Sequence, residues 1–329
     1  YMLAPYRKQK DEKMSFVRPD IIRPPSEHAS YYLPLTSGCS NNSCTFCNFS
    51  FTNLGLRDLE DVKREIDALA LFVKSRMWVP GQPDIVYAIA HGWDGKKVFL
   101  QDGDALVYPY PKLLEALEYL NAKFPRIERI ASYATPQDIL RRSVEELKAL
   151  RDQKLGILYM GVESGDDKVL EYIKKNVNQD QMVEAAKKVK EAGILLSVTV
   201  ILGLGGVAGS KGHVEETARA LTRMDPDYVG ALTLTLVPGT RLHQEVLDGS
   251  FYSQQIFMVP QSGTYYLQII SGPQAYEFTL AYIQRPIYAS FSGAGTLDGV
   301  AFKPGDILVY TSLDDTWRMS FRAAEAGVD

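Results

Sequence analysis

The chain has 329 residues, 46% of them hydrophobic and 23% charged, and carries a formal net charge of −4. This is the composition of a globular protein long enough for one large domain or two ordinary ones. It offers no global basic field for a nucleic-acid backbone, no apolar run of membrane-spanning length, and an N-terminal YMLAPYRKQKDEK too polar for a signal peptide.

In chain order, residues 1–29 read as an N-terminal extension, and YYLPLT (31–36) is the first strand. It runs into GCSNNSCTFCNF (38–49), which holds Cys39, Cys44 and Cys47, the only cysteines of the chain. Asp58 is a natural N-cap for a helix whose Leu59, Val62, Ile66, Leu69 and Val73 share one face. Residues 74–96, with Trp78 and the Pro80–Pro83 stretch, look like an insertion. KVFLQD (97–102) is the second strand, and Leu113, Leu114, Leu117 and Leu120 mark the next helix. RIASYA (129–134) follows, then Thr135-Pro136 as N-cap and first helical position, with Ser143 and Glu146 as a capping box just beyond.

The fourth strand is GILYMGVE (156–163), and Met182, Ala186 and Val189 line a helix that Gly193 can end. LLSVTVILG (195–203) is the fifth strand, His213 to Leu221 a helix, and YVGALTLTLV (228–237) the sixth strand. These strands are almost continuously apolar, as parallel strands covered on both faces are. The order predicts an α/β domain over 30–250, a partial (β/α)6 TIM-like barrel with fewer units than a closed one. From 251 to 329 the texture changes to GTYYLQIIS, YEFTLAYI, IYASFS, VAFKPGDILVYT and TWRMSF. Alternating runs between Gly, Pro and Asp turns predict a small, antiparallel, all-β C-terminal module.

An odd, tightly spaced set of cysteines is a poor disulfide framework and a good ligand set, which places the chain in a reducing, cytoplasmic setting. Structural zinc wants four ligands, and the fourth would have to be a distant His28, His91, His213 or His243. Three thiolates on one loop instead suit a [4Fe–4S] cluster with one iron open to a ligand.

With that loop after the first of six strands, and Phe46 directly before Cys47, the chain resembles the radical S-adenosylmethionine (radical SAM) superfamily. YATPQDILRRS, GILYMGVESGDD, VTVILGLGG and GALTLTLVPGT extend the likeness, to a MiaB-like core group, over roughly residues 14–250. The first spacing, C-x4-C, is one residue longer than the superfamily's usual C-x3-C. The resemblance implies a radical SAM barrel with Cys39, Cys44 and Cys47 on the cluster. It also implies that S-adenosyl-L-methionine (SAM) occupies the open iron and is cleaved reductively to a 5′-deoxyadenosyl radical. For SAM contacts it implies Asp102 or Asp104 at the turn after strand two, and Glu163 and Ser164 after strand four. Phe46, Val200, Leu202, Gly203, Val237 and Pro238 would lie along the adenine, and Ser132, Tyr133 and Thr135 would face the substrate cavity. It further implies an unidentified substrate and a low-potential one-electron donor such as a flavodoxin or ferredoxin. After LVPGT that group is expected to continue in helix, so a β module is untypical of it.

Other readings of the same residues are blander. Gly203-Leu-Gly205-Gly206-Val-Ala208 fits a dinucleotide fingerprint, but Asp225 and Asp227 precede the next strand instead of closing it. Thr135 is fully explained as an N-cap, and the histidines are scattered, although His91 could approach the cluster mouth. A zinc- or thiol-stabilised scaffold whose β module binds a protein or glycan is the non-enzymatic alternative.

Overall fold

The computed structural model describes residues 16–248, 250–251, 266–269, 287–291, 295–297, 300–302, 307–313 and 316–322. The chain divides into two compact units, Tyr1–Phe257 and Met258–Asp329.

Strands of the first unit are β1 (Tyr31–Pro34), β2 (Thr36–Ser37), β3 (Gly55–Leu56), β4 (Lys97–Gln101), β5 (Arg129–Ala134), β6 (Leu155–Glu163), β7 (Leu195–Leu202) and β8 (Tyr228–Thr233). Its helices are α1 (Leu59–Ser75), α2 (Asp84–His91), α3 (Tyr110–Lys123), α4 (Pro136–Arg141), α5 (Val144–Asp152), α6 (Asp167–Tyr172), α7 (Gln179–Glu191), α8 (Gly206–Met224) and α9 (Arg241–Leu247). Six strands form one parallel sheet in the order β1-β4-β5-β6-β7-β8. β1 and β8 are its open edges, which makes the sheet the partial (β/α)6 barrel that the sequence predicts.

The alternation of the strands sorts side chains into two cores. Tyr31, Leu33, Val98, Leu100, Ile130, Leu158 and Val198 join the helices in the main core. Tyr32, Phe99, Ala131, Ile157 and Tyr159 form a second cluster on the opposite face. Residues before β1 pack against that second face. Buried Glu27 accepts from the Tyr159 hydroxyl at 2.6 Å and pairs with Arg129, and the Arg23 guanidinium lies 4.6 Å from the Tyr32 ring centroid.

The caps read from sequence are present. The Asp58 carboxylate accepts from the Glu60 N–H, Thr135 caps α4, and Ser143 with Glu146 closes a reciprocal box on α5. Four local expectations change. Val73 is exposed and Phe72 takes its place in the core, because α1 presents the face one residue earlier in its last turn. The stretch 74–96, read as an insertion, holds a helix that the sequence reading does not give: Asp84–His91 buries Val86, Tyr87 and Ala90. α8 starts at Gly206, well before His213, so the glycine-rich exit from β7 is the first turn of a 19-residue helix. β8 ends at Thr233, and Tyr228, Val229 and Leu232 on it are exposed.

In the second unit β9 (Tyr266–Ile269), β10 (Ile287–Phe291), β13 (Ile307–Leu313) and β14 (Thr316–Arg322) form a sheet in the order β14-β13-β10-β9. β11 (Gly295–Leu297) and β12 (Val300–Phe302) pair separately. Most pairs are antiparallel as expected, but β9 and β10 run parallel. YEFTLAYI and the last residues lie outside the described residues.

Candidate functional site

The cysteine loop leaves β2 and returns as β3. Thr36 stands opposite Leu56 and Ser37 opposite Gly55, so a two-stranded clasp closes its base. Gly38 opens the loop at φ +77°, and a Cβ there would lie 2.8 Å from the Asn53 carbonyl oxygen, so only glycine fits. The segment after α6 grips the far side. The Thr45 N–H donates to the Ile173 carbonyl at 3.0 Å, and the Asn41 amide donates to the Lys175 carbonyl at 3.0 Å. Asn176 donates to Asn41 Oδ1 at 2.8 Å and to Ser43 Oγ at 2.7 Å. Lys174 and Asn176 both take positive φ, an uncommon conformation for residues other than glycine, to make this turn. α9 adds a third contact, from the Leu242 N–H to the Thr45 carbonyl.

The turn after β4 lies against the loop. Asp102 Oδ2 accepts from the Gly38 N–H at 2.9 Å, and the Asp102 N–H donates to Thr36 Oγ1. Burial pushes the Asp102 carboxyl up to about 6, against the pull of the Gly38 and Gly103 N–H groups. A Cβ on Gly103 would sit 3.1 Å from the Cys39 Cβ. Asp104 is fully buried and differently engaged. It accepts from the Leu106 N–H at 2.9 Å, the Ser40 hydroxyl at 3.1 Å, and the Thr135 N–H and hydroxyl at 3.2 and 2.8 Å. The Thr135 oxygen also lies 2.9 Å from Asp138 Oδ2. Burial raises the Asp104 carboxyl well above the usual carboxylate range, and the neighbouring Asp138 is lowered.

β6 delivers the other charged group. Its register with β7 shifts between Gly161 and Glu163, and Glu163 takes φ +63°, so a bulge redirects the last side chain of the strand. Glu163 Oε1 accepts from the Lys175 ammonium at 2.8 Å, with both side chains nearly buried. Burial alone would lower the lysine, but Glu163 and the thiols Cys44 and Cys39 outweigh it and raise it. Lys175 is the residue that sequence reading misses.

The other expected residues divide. The Ser164 hydroxyl is buried between His213 Nδ1 at 2.8 Å and the Asp166 N–H at 3.0 Å, while His213 Nε2 lies 3.1 Å from the Ile201 carbonyl oxygen. Since that carbonyl can only accept, Nε2 carries the proton and Nδ1 accepts from Ser164. Val200 is in the main core and half-buried Ile201 packs against it, whereas Thr199 on the alternate face of β7 is half-buried. The Phe46 ring packs on that core, Leu202 accepts from the Leu234 N–H, and Gly203 accepts from the Gly206 N–H. The Val237 carbonyl accepts from Thr240, the cap of α9, and Pro238 is exposed. Ser132 is buried with its hydroxyl on the Tyr133 carbonyl, so it does not face the cavity. Tyr133 does lie on the second face, edge-on to Phe99 at 5.1 Å. His91 ends α2 shortly before β4 begins, and it is exposed.

Cys39, Cys44 and Cys47 are thiols, the first two buried. Burial pushes Cys39 up to about 12 and Cys44 up to about 11, and raises Cys47, with Lys175 pulling Cys39 and Cys44 back. Iodoacetamide should therefore modify the metal-free chain slowly at pH 8 and faster as pH rises, since the thiolate is the nucleophile. Labelling as fast as an ordinary thiol, whose pKa is about 8.5, would show that the loop opens. Among the described residues no three His, Cys, Asp or Glu side chains converge on a single ion.

A model of the radical SAM superfamily matches residues 33–221, more than half of the chain. The chain belongs to the radical SAM superfamily. It is an enzyme, and the cofactors of its superfamily are a [4Fe–4S] cluster and SAM. A protein of Methanocaldococcus jannaschii named for methylthiotransferase activity is 26% identical over 205 residues, 60% of this chain and 41% of that protein. The tRNA-2-methylthio-N(6)-dimethylallyladenosine synthase of Acinetobacter baylyi is 27% identical over 248 residues, 71% of this chain and 47% of the relative. The chain thus spans less than half the length of these two relatives. Among solved structures, the radical SAM methyltransferase TsrM of Kitasatospora setae, with tryptophan substrate and the SAM analogue aza-SAM bound, has a TM-score of 0.50. It is 16% identical, covering 73% of this chain and 44% of that one, a likeness of fold. Among the described residues no helix is long and apolar enough to cross a membrane.

Proposed function

We propose that Cys39, Cys44 and Cys47 hold a [4Fe–4S] cluster and that SAM binds beside it, between Asp102 and the Glu163–Lys175 pair. The observation that carries this reading is the convergence of one clasped thiol loop with a carboxylate on one side and a buried ion pair on the other. When bound, the reduced cluster would supply one electron to SAM and so release a 5′-deoxyadenosyl radical.

The chain's own residues bind and orient. Asp102 stands where an ammonium could be received, and Lys175 offers positive charge toward a carboxylate. Asp104 and Ser164, each fully buried, support the site from behind: Asp104 fixes Ser40 against Thr135, and Ser164 ties β6 to α8 through His213. Tyr133 and Thr199 on the inner face would line the substrate side and help exclude water. The electron donor in this reading is a low-potential protein such as a flavodoxin or ferredoxin. The relatives' names suggest a methyl or methylthio group as what is moved, and the acceptor is left unspecified.

The test is anaerobic reconstitution with iron and sulfide, then EPR of the reduced chain with and without SAM. A [4Fe–4S]+ signal that changes on adding SAM, with 5′-deoxyadenosine formed under dithionite, is the expected result. Stoichiometric zinc in place of iron, or a cluster indifferent to SAM, would overturn the reading in favour of a scaffold.

A further inference from the structure

Asn41 lies in the first cysteine spacing, three residues ahead of Cys44, where the longer C-x4-C loop turns back on itself. Its Nδ2 lies 3.1 Å from Cys44 Sγ and 3.0 Å from the Lys175 carbonyl oxygen. Its Oδ1 accepts from the Asn176 amide at 2.8 Å and from the Ser43 hydroxyl at 3.1 Å. Two donors on the oxygen and an obligate acceptor beside the nitrogen fix the orientation of this carboxamide, so that N–H and not C=O faces the sulfur.

In the thiol state Cys44 also faces two carbonyls, of Asn41 at 3.8 Å and Lys174 at 4.0 Å, toward which an S–H can donate weakly. A thiolate has no proton to give, so on metal binding the Asn41 N–H becomes the complementary partner, and a charge-assisted one. Each electron added to an iron–sulfur cluster raises the negative charge on its sulfurs. A donor to a ligating sulfur therefore stabilises the reduced state more than the oxidised one.

We propose that Asn41 sets the reduction potential of the cluster, its locked amide donating to Cys44 Sγ and making the cluster easier to reduce. This rests on the ligand reading above. It assigns the additional residue of the loop a purpose: it supplies a turn in which a side chain can reach back to the second cysteine.

The experiment is an EPR-monitored redox titration of the reconstituted full chain, comparing wild type with Asn41→Ala, Asn41→Asp and Asn42→Ala. Asn41→Asp keeps the oxygen for Asn176 and Ser43 but replaces the donor to sulfur with a second acceptor. Asn42 is an exposed amide of the same loop that donates to the Thr52 carbonyl. At a fixed reductant poise the ratio of reduced to oxidised cluster should fall about tenfold in Asn41→Ala, equal to about 59 mV for one electron. It should fall further in Asn41→Asp and stay unchanged in Asn42→Ala. Full iron and sulfide content with unshifted midpoints in both Asn41 variants would overturn the proposal and leave Asn41 a clamp for the loop. If neither variant takes up iron, Asn176→Ala decides. It leaves the Asn41 amide in place but removes a partner that orients it, and an unshifted midpoint there would overturn the proposal as well. Failure of the ligand reading is distinguishable, because the wild-type chain itself would then form no cluster.

Discussion

Lys175→Met should cost the chain about 3–5 kcal/mol, the usual consequence of leaving one member of a buried ion pair without its partner. The cost comes less from the lost attraction than from Glu163, whose carboxylate stays nearly buried at the end of β6 with its cation gone. Replacing both partners, Lys175→Met with Glu163→Leu, should recover most of the stability, because no uncompensated charge then remains. The two variants separate fold from function. The single change should lower the denaturation midpoint, the double should not, and both should abolish the response of the cluster EPR signal to SAM. The measurement is chemical denaturation of the full chain followed by circular dichroism, paired with that EPR assay. A single variant as stable as wild type would show that the pair is not tightly formed. A double variant that still responds to SAM would remove Lys175 and Glu163 from the binding site.

The pH dependence of the pair has a definite sign on the lysine side. Glu163 raises Lys175 above its ordinary value, so this contribution is fully present below the ordinary lysine pKa. It is lost only as pH rises through the raised one. Between pH 6 and 9 the stability difference between wild type and Lys175→Met should therefore not change through Lys175. Asp102, pushed up to about 6 by burial, titrates near that window and is the group to watch if binding of SAM weakens in mild acid.

Lys175 also shows where reading the chain by itself stops. The thiol triplet, the six strands and the caps at Asp58, Thr135 and Ser143 are local signals, each carried by residues within a few positions, and all are found in place. Lys175 sits in a Lys-Lys-Asn run with no local sign of burial, twelve residues from its partner. Only the folding of that run onto the cysteine loop buries it. Asp104 and Ser164 are legible as polar residues at strand ends, but not in their partners: each is held in hydrogen bonds with residues distant in sequence. Val200 fails for a simpler reason. Leu196, Val198 and Val200 alternate with Ser197 and Thr199, so the sequence already carried the signal that puts Val200 on the helix-covered face and Thr199 on the other.

Two glycines of β6 and its exit provide the sharpest contrast between a structural and a functional substitution. Gly165→Ala should be severely destabilising, because the new Cβ would lie 2.3 Å from the Glu216 carbonyl oxygen and 2.6 Å from the Thr217 Cα. These are backbone atoms of the 19-residue α8, which cannot yield as the tip of a side chain can. Relief requires the helix to move, and that would also break the Gly165 N–H bond to Thr217 Oγ1 and the Gln179 bond to the Gly165 carbonyl. Overpacking of this kind costs about 1–3 kcal/mol or more, and at about 2–4 °C per kcal/mol for a domain of this size the melting temperature should drop visibly. Gly161→Ala meets different atoms, Glu163 Oε1 at 2.1 Å and Lys175 Nζ at 3.0 Å. Both are ends of flexible side chains, so the fold should survive while the pair is pushed out of place. Gly161→Ala should accordingly keep its cluster and much of its melting temperature but lose the SAM-induced change in the EPR signal. A normal SAM response in this variant would mean that the ion pair, however well formed, lies beside the chemistry and not in it.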